Sequence, residues 1–261
     1  MEQDSLDMGA ARTAAALRMQ LAQMTAASQM LEQTAKDKKS QGYLAALNQS
    51  ICRMLRIVGR MELTVRLTEE PRLELAPVDL GGVVIEVGDQ AAGLLRHTGV
   101  QVDVCGLEHL PAQADGAMVR QLLLELIANA AKAGDRVTLA LARDGDQAVF
   151  TVTDNGPGLS PEGLACLFNG NTGEVPDWRR QGNGIAIARR VAELHGGRLM
   201  AYCVPDGGLR VAASIPRGKA GGDALSSPAL RWDTGGFSEE LVALSGLLPA
   251  AAFLPNGDWG N

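Results

Sequence analysis

A chain of 261 residues, 46% hydrophobic and 21% charged, can hold one large domain or two modest ones, each with a buried core. Aromatic residues supply only 3%, so that core has to be built from Leu, Val, Ile, Ala and Met. A net charge of -6 excludes a general nucleic-acid binder, and no apolar run approaches the roughly 20 residues of a membrane helix.

From 8 to 35 the sequence is rich in Ala, Met, Gln and Leu. Ala14, Leu17, Leu21, Met24, Ser28, Leu31 and Ala35 recur at alternating spacings of three and four, which predicts a helix with one narrow apolar stripe. The polar stretch 36–42 reads as a turn. Leu44, Leu47, Ile51, Met54, Val58, Met61 and Val65 then repeat the 3-4 spacing, the seam of a left-handed helix pair. The result is an antiparallel helical hairpin over 1–70. Its exposed apolar surface is most simply covered by a second copy, giving a homodimer built as a four-helix bundle.

Pro71 and Pro77 mark a linker at 71–79. A helix at 80–96, a strand at 100–105, a helix at 117–132 and paired strands at 137–143 and 148–153 follow. A loop-rich segment runs to 181, then a helix at 183–195 and strands at 199–204 and 209–215. This mixture predicts an α+β fold over 80–216, a two-layer sandwich with helices on one face of a mixed sheet. The Gly- and Ala-rich tail 217–261 carries one short helical pattern at 237–248, with the preceding domain as its candidate docking surface. Cys52, Cys105, Cys166 and Cys203 are far apart without metal-ligand spacing and read as mostly buried residues of a reducing compartment.

Three pieces carry chemistry. In ELIANAAKAGD, Glu125, Asn129 and Lys132 are spaced i, i+4 and i+7 and share one helix face. A carboxylate can activate an attacking group, an amide oxygen is a hard ligand suited to Mg2+, and an ammonium can pair with phosphate. In DNGPGLS, Asp154 ends a predicted strand where a carboxylate can accept from an exocyclic amine, and Gly156 and Gly158 permit unusual backbone geometry. In QGNGIAIARRVAELHGG, Gly182 and Gly184 precede a helix whose Ile185, Ala188, Val191 and Ala192 face inward, so phosphate can approach free N–H groups. His195 closes that helix as an end residue.

In this order and spacing, residues 122–216 resemble the ATP-binding domain shared by sensor histidine kinases, gyrase-type topoisomerases, heat-shock chaperones and mismatch-repair ATPases. ELIANAAKAG resembles the family's N box, DNGPGL and GNGIAIAR its two Gly boxes, and LFNGN around Phe168 its F box. The resemblance implies ATP and Mg2+ in a cleft between the Glu125 helix and a lid at about 160–181. Asp154 would bind the adenine amine, and Asn129 would coordinate Mg2+. Glu125 matches the general base, Lys132 and Arg180 would approach the phosphates, and Gly156, Gly158, Gly182 and Gly184 would shape and hinge the lid. Ala186 stands at the third Gly of the second Gly box. Arg210 lies near where the family places a small hydroxyl residue beside the adenine.

YLAALNQSICRMLRIVGRMEL and LELAPVDLGGVV resemble the second dimerisation helix and linker of sensor histidine kinases. On the first helix the phosphoacceptor pattern falls on GAARTAA: Arg12 and Thr13 match, but the acceptor histidine falls on Gly9. The only histidines are His97, His109 and His195, none in the hairpin. The expectation is an ATP-binding signalling protein, a phosphotransferase if active, with a response regulator or another protein as acceptor. It would be cytoplasmic or the soluble part of a longer sensor. A non-catalytic nucleotide-sensing module competes with that reading; a slow ATPase and an anti-sigma-type serine kinase stand behind it.

Overall fold

The structure, a computed structural model, describes residues 2–69, 72–169, 184–205, 207–218 and 234–254. The chain divides into two compact units, Met1–Pro71 with Trp232–Asn261, and Arg72–Arg231.

The first unit is built on α1 (Glu2–Glu32) and α2 (Lys38–Glu69). Asp37 starts α2 inside the stretch expected to be a turn: its Oδ1 accepts from the backbone N–H of Lys39 and Ser40, both at 3.0 Å. The antiparallel pairing is fixed by polar groups at two heights. Arg18 grips Glu62 through Nε (2.9 Å) and Nη2 (2.5 Å), and the buried Ser28 hydroxyl donates to Asn48 Oδ1. The two apolar series read from the sequence behave differently. Ala14, Leu21, Leu44, Ile51 and Val58 are buried, whereas Leu17, Met24, Leu31 and Met54 are exposed.

The tail returns to this unit. Ser238 caps α7 (Glu239–Leu244), its side chain accepting from Leu241 N, and a 3-10 turn follows at Ala250–Phe253. Three α2 side chains donate to tail carbonyls: Asn48 Nδ2 to Phe253 O (3.2 Å), Gln49 Nε2 to Leu248 O (2.7 Å) and Arg53 Nε to Ser245 O (3.3 Å). The docking surface of the helical tail segment is therefore the hairpin, not the preceding domain. The short helix is also shorter than its pattern, because it starts only after its Ser238 cap and Gly246 follows its end.

The second unit holds a five-stranded sheet in the order β2 (Gln101–Gly106), β4 (Arg136–Asp144), β5 (Gln147–Asp154), β7 (Leu209–Pro216) and β6 (Arg198–Cys203). Only β2 and β4 run parallel; the other pairs are antiparallel. The stretch read as a linker contributes β1 (Ala76–Asp79), which pairs with β3 (Pro111–Ala114) in a separate two-stranded ladder. Helices α3 (Leu80–Leu95), α4 (Gly116–Ala133) and α6 (Gly184–Leu194) complete the two-layer α+β arrangement, with α5 (Pro161–Asn169) between β5 and α6 in the chain.

Strict alternation places the core. Val137, Leu139 and Leu141 on β4, Ala148, Phe150 and Val152 on β5, and Val211, Ala213 and Ile215 on β7 are buried in every second position. They meet the apolar side of the α4 middle, where Leu122, Leu123, Leu126 and Ile127 are inaccessible. Arg120, nearly buried on α4, is paired with Glu86 of α3 at 2.7 Å. In α6 the inward residues are Gly184, Ile187, Ala188, Val191 and Ala192; Ile185, expected inside, is only half-buried, because Ile187, two positions on and about 200° round the helix, holds the inward place instead.

Phe150 is a fully buried aromatic at the centre of this sheet. Phe150→Ala is expected to lower stability by roughly 3–5 kcal/mol, seen as an earlier urea unfolding midpoint. A loss below about 1 kcal/mol would show that the β5 row is not the centre of the core.

Candidate active site

The row Ala148, Phe150, Val152 points into the core, and the next residue in that row is Asp154. A carboxylate thus ends an apolar series, and it is only 6% exposed. Its Oδ1 accepts from Gly156 N at 2.8 Å and from Leu209 N at 3.2 Å. The second bond ties the end of β5 to the start of β7, and Gly208 makes it possible. With φ at +99°, Gly208 lies so close that a Cβ there would stand 1.9 Å from Asp154 O. Gly156 is equally constrained on the other side, where a Cβ would come within 2.5 Å of Ala133 O.

That last contact brings the end of α4 to the glycine loop. Asn155 secures the junction: its Oδ1 accepts from Arg136 N (2.9 Å) and its Nδ2 donates to Asp135 Oδ1 (2.8 Å). Sequence reasoning passed over Asn155, although an Asn beside a strand end is a strong former of side-chain-to-backbone bonds. Gly158 has φ +71°, and its loop continues to Leu159, whose N–H and C=O both meet Cys203 Sγ, at 3.4 and 3.2 Å. Cys203 and Cys105 are exposed and Cys52 is buried, so the expectation of mostly buried cysteines fails at the two strand positions. Burial pushes the Cys52 thiol up to about 12.

The α4 face grades from inside to outside. Glu125 is 3% exposed and accepts from Gln121 Nε2 at 3.1 Å; Asn129, one turn on, is half-buried; Lys132 is exposed. Asn129 lies one further turn before Ala133, beside which Gly156 packs, so the amide and the Asp154 loop share one end of the fold. Among the described residues no group of three or more His, Cys, Asp and Glu could hold a metal ion. A single amide oxygen fits a Mg2+ that brings phosphate and water ligands with it.

Gly184 is the buried first residue of α6, while Arg180, Gly182 and the Phe168 side chain lie outside the described residues. Ala186 is exposed, so the methyl that replaces a glycine there lies off the packed side of α6. Arg210 does not sit beside the carboxylate. It pairs across from Thr153, donates through Nε to Thr153 Oγ1 (2.9 Å) and lies 5.8 Å from the centre of the Tyr202 ring. Thr153 precedes Asp154, so Arg210 occupies the opposite sheet face, and Leu209 is the β7 residue that reaches Asp154.

Residues 114–219 match the family model described as histidine kinase-, DNA gyrase B-, and HSP90-like ATPase. These residues form an ATPase domain of that family. The chain is 33% identical over 142 residues to the methanogenesis regulatory histidine kinase FilI of Methanothrix harundinacea, covering 52% of this chain and 16% of that protein. It is 32% identical over 117 residues to the sensor histidine kinase GtrS of Pseudomonas aeruginosa, covering 45% of this chain and 25% of that one. The crystal structure of full-length ShkA in complex with AMPPNP superposes with a TM-score of 0.66 at 26% identity, over 80% of this chain and 45% of ShkA. The chain therefore spans a quarter or less of these two curated relatives and under half of ShkA. No helix among the described residues is long and apolar enough to cross a membrane.

Inside the ATPase domain, His195 pins α6 to α4. Its Nε2 accepts from Asp115 N (3.1 Å), so Nδ1 carries the proton and donates to Val191 O (2.8 Å). Asp115 is the N-cap of α4, accepting from Met118 N at 3.1 Å. Burial holds the imidazole below its ordinary value of 6.5, against the opposing pull of the Val191 carbonyl and the Asp115 charge. The folded state thus refuses a proton that the unfolded chain accepts. The contribution of His195 is complete above about pH 6.5 and is lost as pH falls below it. Thermal midpoints of the parent and His195→Gln, compared from pH 8 down to 5, should converge toward the acid end; parallel curves would show that this histidine does not report burial.

Proposed function

We propose that this chain is an ATP-binding signalling protein of the sensor-kinase type, whose phosphoryl acceptor lies outside the hairpin helices resolved in this chain. The observation that carries the reading is the buried carboxylate of Asp154, held through Oδ1 by two backbone N–H groups. Oδ2 is then the oxygen left to accept from an adenine amine. The AMPPNP complex of ShkA supports a nucleotide in the corresponding cleft.

In this reading Asn129 supplies one oxygen to Mg2+ and Lys132 and Arg180 meet the phosphates. Gly156, Gly158, Gly182 and Gly184 let the backbone pass close to the nucleotide. The bound metal would neutralise phosphate charge. Glu125 takes the proton of the attacking group as the γ-phosphoryl passes to it and ADP leaves. The hairpin is the dimer contact, in line with the sensor-kinase relatives, and a response regulator or a His-bearing protein is the acceptor. The chain would work in the cytoplasm. One sequence fact favours a second reading, a nucleotide sensor without turnover: no histidine lies in the hairpin, and Gly9 stands at the aligned acceptor position.

Calorimetric titration with ATP and Mg2+ tests the site. In Asp154→Asn the amide oxygen keeps accepting from Gly156 and Leu209, while its NH2 opposes the adenine amine. ATP affinity should fall roughly ten- to hundred-fold with little change in thermal midpoint. Unchanged affinity would remove the adenine role of Asp154. Glu125→Gln separates the two readings: transfer of label from ATP to a partner should disappear with binding retained, whereas a nucleotide sensor gives the same output as the parent.

A further inference from the structure

The second helix of the hairpin is apolar on three sides, more than a two-helix hairpin can cover. At 100° per residue, Leu44, Ile51 and Val58 form the side turned to α1. Leu47, Met54 and Met61 form a second side, exposed or half-buried. Ala45 and Cys52, 2% and 0% exposed, lie on a third, about half a turn from the second. Gln49, Arg53 and Arg56 flank that third side, and all three meet the tail. Gln49 and Arg53 donate to its carbonyls, and Gly246 lies where a Cβ would stand 2.8 Å from Arg56 Nη1. On α1 the tail reaches Thr25 and Gln29 through Gly235 and Gly236, whose added Cβ atoms would come within 3.0 and 3.1 Å.

The open side of α2 is matched on α1. Leu17, Met24 and Leu31 follow at intervals of seven, and the pairings of Arg18 with Glu62 and Ser28 with Asn48 set them level with Met61, Met54 and Leu47. The hairpin thus has one open apolar face shared by both helices and one face closed by residues 234–254 of its own chain. Were both open, copies could join through two different faces, and such head-to-tail contacts propagate rather than close.

We propose that the C-terminal segment limits self-association: it occupies the Ala45–Cys52 side of α2, so only the Leu17–Met24–Leu31 face is left for a second copy. The proposal rests on the dimer reading above for that second copy, but its test is separate. The anchoring residue is Phe253, 2% exposed, whose carbonyl accepts from the buried Asn48. A carboxylate at that position cannot be buried without a partner and should release the segment.

The mass of the full chain is measured by light scattering after size exclusion, for the parent, Phe253→Asp, and Phe253→Asp with an excess of a synthetic peptide spanning 234–254. The expected masses are two copies, more than two, and two again. The peptide arm separates a released segment from a misfolded hairpin, which it would not repair. Phe253→Asp with the parent's mass, or larger assemblies that the peptide leaves unchanged, overturn the proposal. A fourth sample, Met24→Glu with Met54→Glu, addresses the dimer reading alone and should run as a single copy. A single-copy parent with a self-associating Phe253→Asp would sink the dimer reading while leaving the role of the segment standing.

Discussion

The site depends on where the end of β5 is held. Asp154 continues the inward row of that strand, so burial alone would force its carboxylate into apolar surroundings without a partner, which is costly. Two backbone N–H groups, from Gly156 and Leu209, remove that cost at one oxygen and fix the carboxylate's direction. The glycines follow from the same constraint. Gly208 must let β7 pass against the Asp154 carbonyl, and Gly156 must let the loop pass against the end of α4. Asn155 then joins that loop to the α4–β4 connection, so the helix with Glu125 and Asn129 and the strand with Asp154 are fixed to each other.

The hairpin unit obeys a different economy. Polar pairs set its register, and its apolar surface exceeds what two helices can hide. The alternating three-four pattern that marked each helix is really two series, one consumed inside the hairpin and one left outside. A third series on α2, of small residues such as Ala45 and Cys52, lies under the returning tail.

The ATPase fold was largely legible in the sequence because alternation on β4, β5 and β7 and the apolar middle of α4 are strong periodic signals. The N-box and Gly-box spacings named the candidate site residues for the same reason: they are local. What the sequence hid is non-local or weakly patterned. The strand Ala76–Asp79 is four residues long, contains Pro77 and forms only by pairing with β3. Arg210 was placed only near the family's hydroxyl position, and a one-residue step in a strand changes the sheet face: it pairs with Thr153, while Leu209 reaches Asp154. The tail's place on the hairpin was out of reach, since Asn48, Gln49 and Arg53 look like ordinary solvated residues until the carbonyls they serve are known.

The engagement of His195 has a consequence for where phosphate chemistry can happen. Its Nε2 lone pair is occupied by the Asp115 N–H and its Nδ1 proton by the Val191 carbonyl. A phosphoryl group on Nε2 would have to expel that N–H, and with it disturb the cap of the helix that carries Glu125 and Asn129. The imidazole that belongs to the ATPase domain's own framework therefore cannot become a phosphohistidine at Nε2 without loosening the very helix that would present the reactants.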